Sequence, residues 1–459
     1  MKKTPALRGN GNGSKELSRA RKGTLKSAEI FEEEQKYISP GFQGIALHSR
    51  IALACGHNDV VTDEDGNDYI DFVSGIGVGS VGHCHPHYVK ALRKQAGQLT
   101  YSSFTTEVRM KFLRLLASLL PKPLSRIQLF SGGAEAIEAA FRLAKSVTKK
   151  FEFIGFWGGF HGKTGGVLGL LGDEFKKDLG PFMPGLYLSP FAYCYRCPLK
   201  LQYPSCGLAC ADHLRQVIKL QSQQQVAAII AEPIQGTAGN IVPPSEFLPA
   251  VQSIAKEFDA LLISDEMQTG FARSGAMWGF EHDKLSPDIL TVGKGIGGGF
   301  PLSGVISTET YCNARPYALP SGSSSSYGGN PLAAAAGLAS LEIILKEKLA
   351  ENSRTVGSLL LRKFKGFEDR FEFVGEARGR GLMIGIELVK DKTTKERIDK
   401  KVCHRIFHDC LKRGLLSMSY SNPIRIIPPL TLSETSAMQA AAILEEVFMG
   451  VQLDGSYKQ

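Results

Sequence analysis

Apolar and polar positions change rhythm along this chain. Short apolar runs at 127–130, 227–231, 261–264 and 289–292 carry no polar alternation. Strands buried on both faces look like this, as in parallel sheets covered by helices. Between and after them, 134–150, 246–258 and 331–349 read as helices. Upstream, 28–37 reads as a helix and 59–72 as a hairpin turning at Asp65-Gly66-Asn67. From about residue 350 the order becomes helix, then strands at 383–389 and 424–427, then a final helix. There is no internal repeat. The pattern predicts an α/β fold. A large domain over 90–340 would hold a mostly parallel sheet covered by helices, and a smaller α+β domain would be built from both chain ends, 28–89 and 341–459.

Composition narrows the class. The 459 residues are 43% hydrophobic and 22% charged, which excludes disorder as the main state and leaves enough chain for sizeable cores. No apolar run approaches the ~18 residues of a membrane helix, and the first residues lack the apolar core of a signal peptide. The net charge of +9 suggests a nucleic-acid partner until it is located. Residues 1–26 hold eight basic side chains against Glu16 alone, a charge of +7, leaving +2 for the rest. Segment 1–27 therefore reads as a basic, flexible leader, and the body carries no nucleic-acid or membrane signal. Five of the nine cysteines (Cys55, Cys84, Cys312, Cys403 and Cys410) are scattered, as expected of reduced thiols in a cytoplasmic protein.

Three successive apolar runs end in a reactive residue: Glu232 after 227–231, Asp265 after 261–264 and Lys294 after 289–292. If the strands are parallel, right-handed crossovers put all three ends at one carboxyl edge, where open α/β sheets bind ligands. Any one of them alone is better read as a surface charge. Three in succession are not, because charges converging on one crevice are costly to desolvate unless paired or ligated. A fourth run leads into Ser131-Gly132-Gly133-Ala134 at the start of a helix, whose free N–H groups and dipole suit a phosphate. A lysine, an aspartate and a phosphate cradle together describe a pyridoxal-phosphate pocket.

In its wording the sequence resembles the class III aminotransferases of fold type I, a family with 4-aminobutyrate, ornithine and putrescine aminotransferases among its members. The matching segments are 82–86 (Gly-His-Cys-His-Pro), 131–136, 160–162 (Phe-His-Gly), 232–236 (Glu-Pro-Ile-Gln-Gly), 265–271, 293–301, 327–333 and 425–430, in family order. The resemblance implies that Lys294 holds the cofactor covalently and then moves a proton, with Asp265 against the pyridine nitrogen. It implies Phe160 and His161 at the ring, Gln268 at the ring oxygen, Glu232 behind them, and Ser131, Gly132, Gly133 and Ala134 at the phosphate. Ser326, where the family has Thr, and Tyr327 would reach the phosphate of a neighbouring subunit in a homodimer. Arg425 would pair with the substrate α-carboxylate. His83, His85 and His87 read as structural histidines.

Two positions depart from the 4-aminobutyrate enzymes. Lys163 replaces an Arg that grips the distal carboxylate, keeping the charge and losing the two-bond fork. Thr237 replaces a Glu that masks the α-carboxylate Arg. Ile76 matches the 4-aminobutyrate branch. The resemblance thus implies transfer from a terminal amine, first a 4-aminobutyrate-like ω-amino acid, to 2-oxoglutarate or pyruvate. A diamine or specialised-metabolite aminotransferase, a racemase or epimerase of the same family, and a non-catalytic metal-sensing protein on the same fold are the rival readings. Segment 193–211 is an insertion holding Cys194, Cys197, Cys206 and Cys210. Two close pairs are typical of tetrahedral zinc; reduced thiols packed among Phe191, Tyr193, Tyr195 and Tyr203, or a disulfide, are the alternatives.

Overall fold

The computed structural model describes residues 25–172 and 174–458. The basic segment 1–24 lies outside them. A seven-stranded sheet forms the centre, in spatial order Leu124–Phe130, Ser303–Thr308, Ile289–Val292, Leu261–Asp265, Val226–Ala231, Glu152–Phe156 and Leu186–Ser189. The last five strands of that order pair in parallel. Ser303–Thr308 runs antiparallel to both of its neighbours. Val226–Ala231 is buried at every position, which is why its sequence shows no alternation.

The helices that cover the sheet form where the periodicity places them, within a few residues at the ends. Gly133–Thr148 buries Ala136, Ile137, Ala140, Phe141 and Leu143 against one face. Phe247–Glu257 packs Phe247, Leu248 and Val251 into the core on the other. The predicted 331–349 helix ends at Lys346, and Leu349–Arg370 follows after a left-handed Lys348.

Two smaller sheets lie beside the central one. Leu53–His57, Val60–Asp63 and Asp68–Asp71 form the predicted hairpin region, and the two-residue strand Leu415–Leu416 pairs in parallel with Ile70 and Asp71. Val374–Arg380, Met383–Leu388 and Ile424–Ile426 form the other. The early and late parts of the chain thus share one sheet. Among the described residues no helix is long and apolar enough to cross a membrane.

Candidate active site

Parallel pairing brings the three strand ends to one edge. Ala231 stands opposite Ser264, and Asp265 opposite Thr291, so Glu232, Asp265 and Lys294 follow side by side. Lys294 adopts φ 45°, a left-handed conformation that a lysine does not take without cost. Its neighbours Gly293 and Gly295 are tightly enclosed: a Cβ on Gly293 would meet Met267 Sδ at 2.5 Å, and one on Gly295 would meet Ser80 Oγ at 2.7 Å. Burial lowers the Lys294 amine below its ordinary range, against the opposing charges of Asp265 and Glu232.

Asp265 is 2% exposed and fully bonded. Its Oδ1 accepts from the Met267 N–H at 3.0 Å and the Thr291 hydroxyl at 3.4 Å, and its Oδ2 contacts His161 Nδ1 at 2.6 Å. Glu232 ties two loops together, accepting from the Phe160 N–H and the Gly236 N–H, each at 3.0 Å. Burial would by itself lower the His161 imidazole, but the hydrogen bond and charge of Asp265, with Glu232 behind, hold it above its ordinary 6.5. Such a group lends stability that is complete below 6.5 and lost as pH rises through the folded value. In thermal melts of the cofactor-free protein, the wild type should therefore lose Tm relative to His161→Gln as pH climbs above 6.5. Parallel Tm curves for the two proteins would show that His161 carries no such charge.

Lys294 opens into a pocket of about 360 Å³ lined by Ser131, Gly133, Ala134, Phe160, His161 and Met267, among others. At its phosphate end the structure refines the expectation. The N–H groups of Ser131 and Gly132 donate to Glu135 Oε2 at 3.0 and 2.8 Å, so they are already satisfied. Gly133 and Ala134 open the helix and have no carbonyl one turn earlier to bond, leaving these two N–H groups for an anion.

Gln268, 7% exposed, holds a buried Nε2 with no acceptor. Two glycines make room for it: a Cβ on Gly236 would lie 1.8 Å from its Oε1, and one on Gly77 would lie 3.3 Å from its Nε2. An amine and a helix N-terminus line this pocket, and the bonded carboxylate of Asp265 and the orphaned donor of Gln268 flank its lining residue Met267 in sequence; the set fits pyridoxal phosphate. Ser326 and Tyr327 are not brought to this pocket within the chain; both are exposed, Tyr327 at 73%.

A larger cavity of about 1020 Å³ continues from Lys294. Among its lining residues are Ile76, Lys163, Thr237 and Arg425, together with Trp157, Tyr193, Arg196, Gln235 and Arg397, which sequence reasoning did not single out as site residues. Ile76 takes φ 63°, a rare state for a β-branched residue. It follows Ser74, whose N–H donates to Asp71 Oδ1 at 2.8 Å and whose hydroxyl donates to the Ile427 carbonyl at 2.6 Å. Arg425 lies on Ile424–Ile426 with no carboxylate partner among the described residues, and burial lowers its pKa. Lys163 is exposed, its Nζ 4.3 Å from the centre of the Phe175 ring.

The histidines of the 82–86 turn each meet their own carboxylate. His83 contacts Asp71, His85 Glu347 and His87 Glu342, at 2.8, 2.8 and 2.6 Å.

The zinc expectation is corrected. Among the described residues no group of three or more His, Cys, Asp or Glu stands where it could hold a metal ion. Cys194, Cys197, Cys206 and Cys210 instead line a small apolar cavity of about 20 Å³ with Phe191, Pro198, Leu199, Leu201 and Leu208. Burial pushes the Cys194 and Cys210 thiols up to about 11.

Comparison with known proteins agrees with this geometry. The family model for class-III aminotransferases matches residues 46–448. The chain is 33% identical to a probable 4-aminobutyrate aminotransferase of Bacillus subtilis (strain 168), over 92% of this chain and 98% of that one. It is also 33% identical to a leucine/methionine racemase of Thermococcus litoralis, over 93% and 97%. A crystal structure of a PLP-bound amine transaminase from an uncultivated Pseudomonas species superposes with a TM-score of 0.85 at 30% identity, covering 90% of this chain and 98% of that one.

Proposed function

Because the chain belongs to the class-III aminotransferases, which are pyridoxal-phosphate-dependent transaminases, we propose that it moves an amino group from an ω-amino acid of the 4-aminobutyrate kind to a 2-oxo acid. One observation carries the substrate class. The cavity beyond Lys294 is lined by five basic side chains (Lys163, Arg196, Lys294, Arg397 and Arg425) and by no acidic one among the described residues. A diamine would enter a field of its own sign, whereas a donor bearing carboxylate gains from those charges that no carboxylate of the protein offsets. The same lining favours 2-oxoglutarate, a dianion, over pyruvate as acceptor.

Bound pyridoxal phosphate supplies a carbonyl carbon that takes the amine and a ring that takes up carbanion charge. The chain does the rest. Lys294 holds the cofactor, then its Nζ, kept below its ordinary pKa, carries a proton from the amine-bearing carbon. Asp265 keeps a proton at the ring nitrogen, oriented by His161 and by the Met267 N–H. Gly133 and Ala134 hold the phosphate, Gln268 the ring oxygen, and Phe160 the ring face. Arg425 pairs with a substrate carboxylate through its guanidinium fork. Ser326 and Tyr327 complete the phosphate site of a second copy in a homodimer.

The racemase relative keeps a second reading open, and one panel separates the two. Purified holoprotein is given 4-aminobutyrate, longer ω-amino acids, putrescine and single L-amino acids, with and without 2-oxoglutarate. The expected result is glutamate formed from ω-amino acids and little from putrescine. D-amino acid accumulating without any acceptor would replace the proposal with racemisation.

A further inference from the structure

The cysteine-rich insertion reaches the large cavity, and its contacts lead to a residue that the family comparison does not point to. Tyr193 donates its hydroxyl, and Arg196 its Nε, to the fully buried carboxylate of Glu387. Arg378 also reaches Glu387, at 3.1 Å, and Glu376 at 2.7 Å. Two guanidinium groups therefore face two carboxylates, and Arg196 is neutralised where it stands. Its Nη1 goes further and donates to the Lys395 carbonyl.

Lys395 answers from the other side, donating Nζ to the Tyr195 carbonyl at 2.8 Å with the ammonium 4.6 Å from the Tyr195 ring centre. The insertion and the turn after Met383–Leu388 are thus clamped backbone to side chain in both directions. The turn closes on itself through Lys390 N–H to Glu396 carbonyl at 2.8 Å and is anchored by buried Ile398. Between those anchors stands Arg397, its backbone bridged to Val389. Arg397 lines the cavity and is exposed, with no carboxylate partner among the described residues.

The cavity therefore carries unpaired guanidinium groups on two separate elements, Arg425 on Ile424–Ile426 and Arg397 on the clamped turn. We infer that Arg397 reads the carboxylate at the end of the substrate far from its reacting amine or carbonyl, and that Arg196 is the positioning residue that holds it there. In an ω-amino acid that is the carboxylate opposite the amine, and in a 2-oxo acid acceptor carboxylated at both ends, such as 2-oxoglutarate, it is the one far from the carbonyl. Lys163, engaged with the Phe175 ring, is not the reader. The inference rests on the proposed function in taking this cavity as the substrate site.

Adipate and hexanoate test it, because they share a six-carbon chain, differ by one carboxylate and lack an amine to react. Calorimetry on the holoprotein should show tighter binding of adipate than of hexanoate in the wild type. Arg397→Gln should remove most of that preference, about tenfold or more from one lost charge-assisted contact, and leave hexanoate unchanged. Arg397→Lys should keep part of it. Arg196→Gln should reduce the preference by a smaller factor, with Arg196→Lys recovering some, since it acts only through the turn. Lys163→Gln should leave the ratio in place. An undiminished adipate preference in Arg397→Gln, or its loss in Lys163→Gln instead, overturns the inference and leaves the transaminase reading standing. No adipate preference in the wild type overturns both the inference and the anionic-substrate reading beneath it.

Discussion

Transamination by a Lys294→Ala protein falls by at least about 10⁴-fold, because one side chain supplies both the attachment point and the proton carrier. The fold survives the change. Position 294 holds φ 45°, and alanine meets the same backbone cost there as lysine does. The rest of the pocket, with the free N–H groups at Gly133 and Ala134 and the bonded Asp265, is untouched, so the cofactor still binds without a covalent link. The measurement pairs glutamate formation with borohydride treatment of the wild type, which should fix the cofactor on the peptide containing Lys294. A reduced adduct on any other lysine, or a Lys294→Ala protein that keeps turning over, rejects the assignment.

Asp265→Asn is expected to cost about 10² to 10³ in kcat with little change in KM, comparable to removing one preorganised electrostatic contact from a reaction centre. Asparagine fills the same space between the Met267 N–H, the Thr291 hydroxyl and His161. It cannot hold a proton at the ring nitrogen by charge, and it leaves His161 without the anion that keeps its pKa raised. Asp265→Glu, which restores the charge at a displaced position, should recover part of the loss. An Asp265→Asn enzyme within tenfold of the wild type would mean that the ring nitrogen is not held this way.

The architecture was legible where burial is uniform. Runs such as 227–231 and 289–292 show their strands because both faces are covered, and the residues after them fall on one edge because parallel strands share a direction. Ser303–Thr308 carried no such signal. Its buried positions are shared among Ser, Gly, Val and Ile, and its antiparallel insertion depends on partners far away in sequence.

Within the site, Lys294, Asp265, Glu232 and Gly133 were legible from local order alone. Glu135 capping the N–H groups of Ser131 and Gly132 was not foreseen, although a Glu three residues into a helix is a capping signal. Arg397 left no local signal, because its meaning comes from a clamp built by residues some two hundred positions earlier. The cysteine spacing misled for a related reason. Spacing counts possible donors, while the fold sets what surrounds the thiols, here Phe191, Leu199 and Leu208.

The two-residue strand Leu415–Leu416, parallel to Ile70 and Asp71, has a consequence for synthesis. The first hairpin leaves the ribosome long before its last neighbour exists. At about 5–20 residues per second the wait is roughly 17 to 70 s, spent with an unpartnered strand edge open to other chains. Ser74 waits as long for the Ile427 carbonyl that stabilises the turn presenting Ile76. Arrival of residues 415–427 is therefore the event that completes the large cavity, and nascent chains halted before residue 415 should be captured by chaperones that bind exposed strand edges.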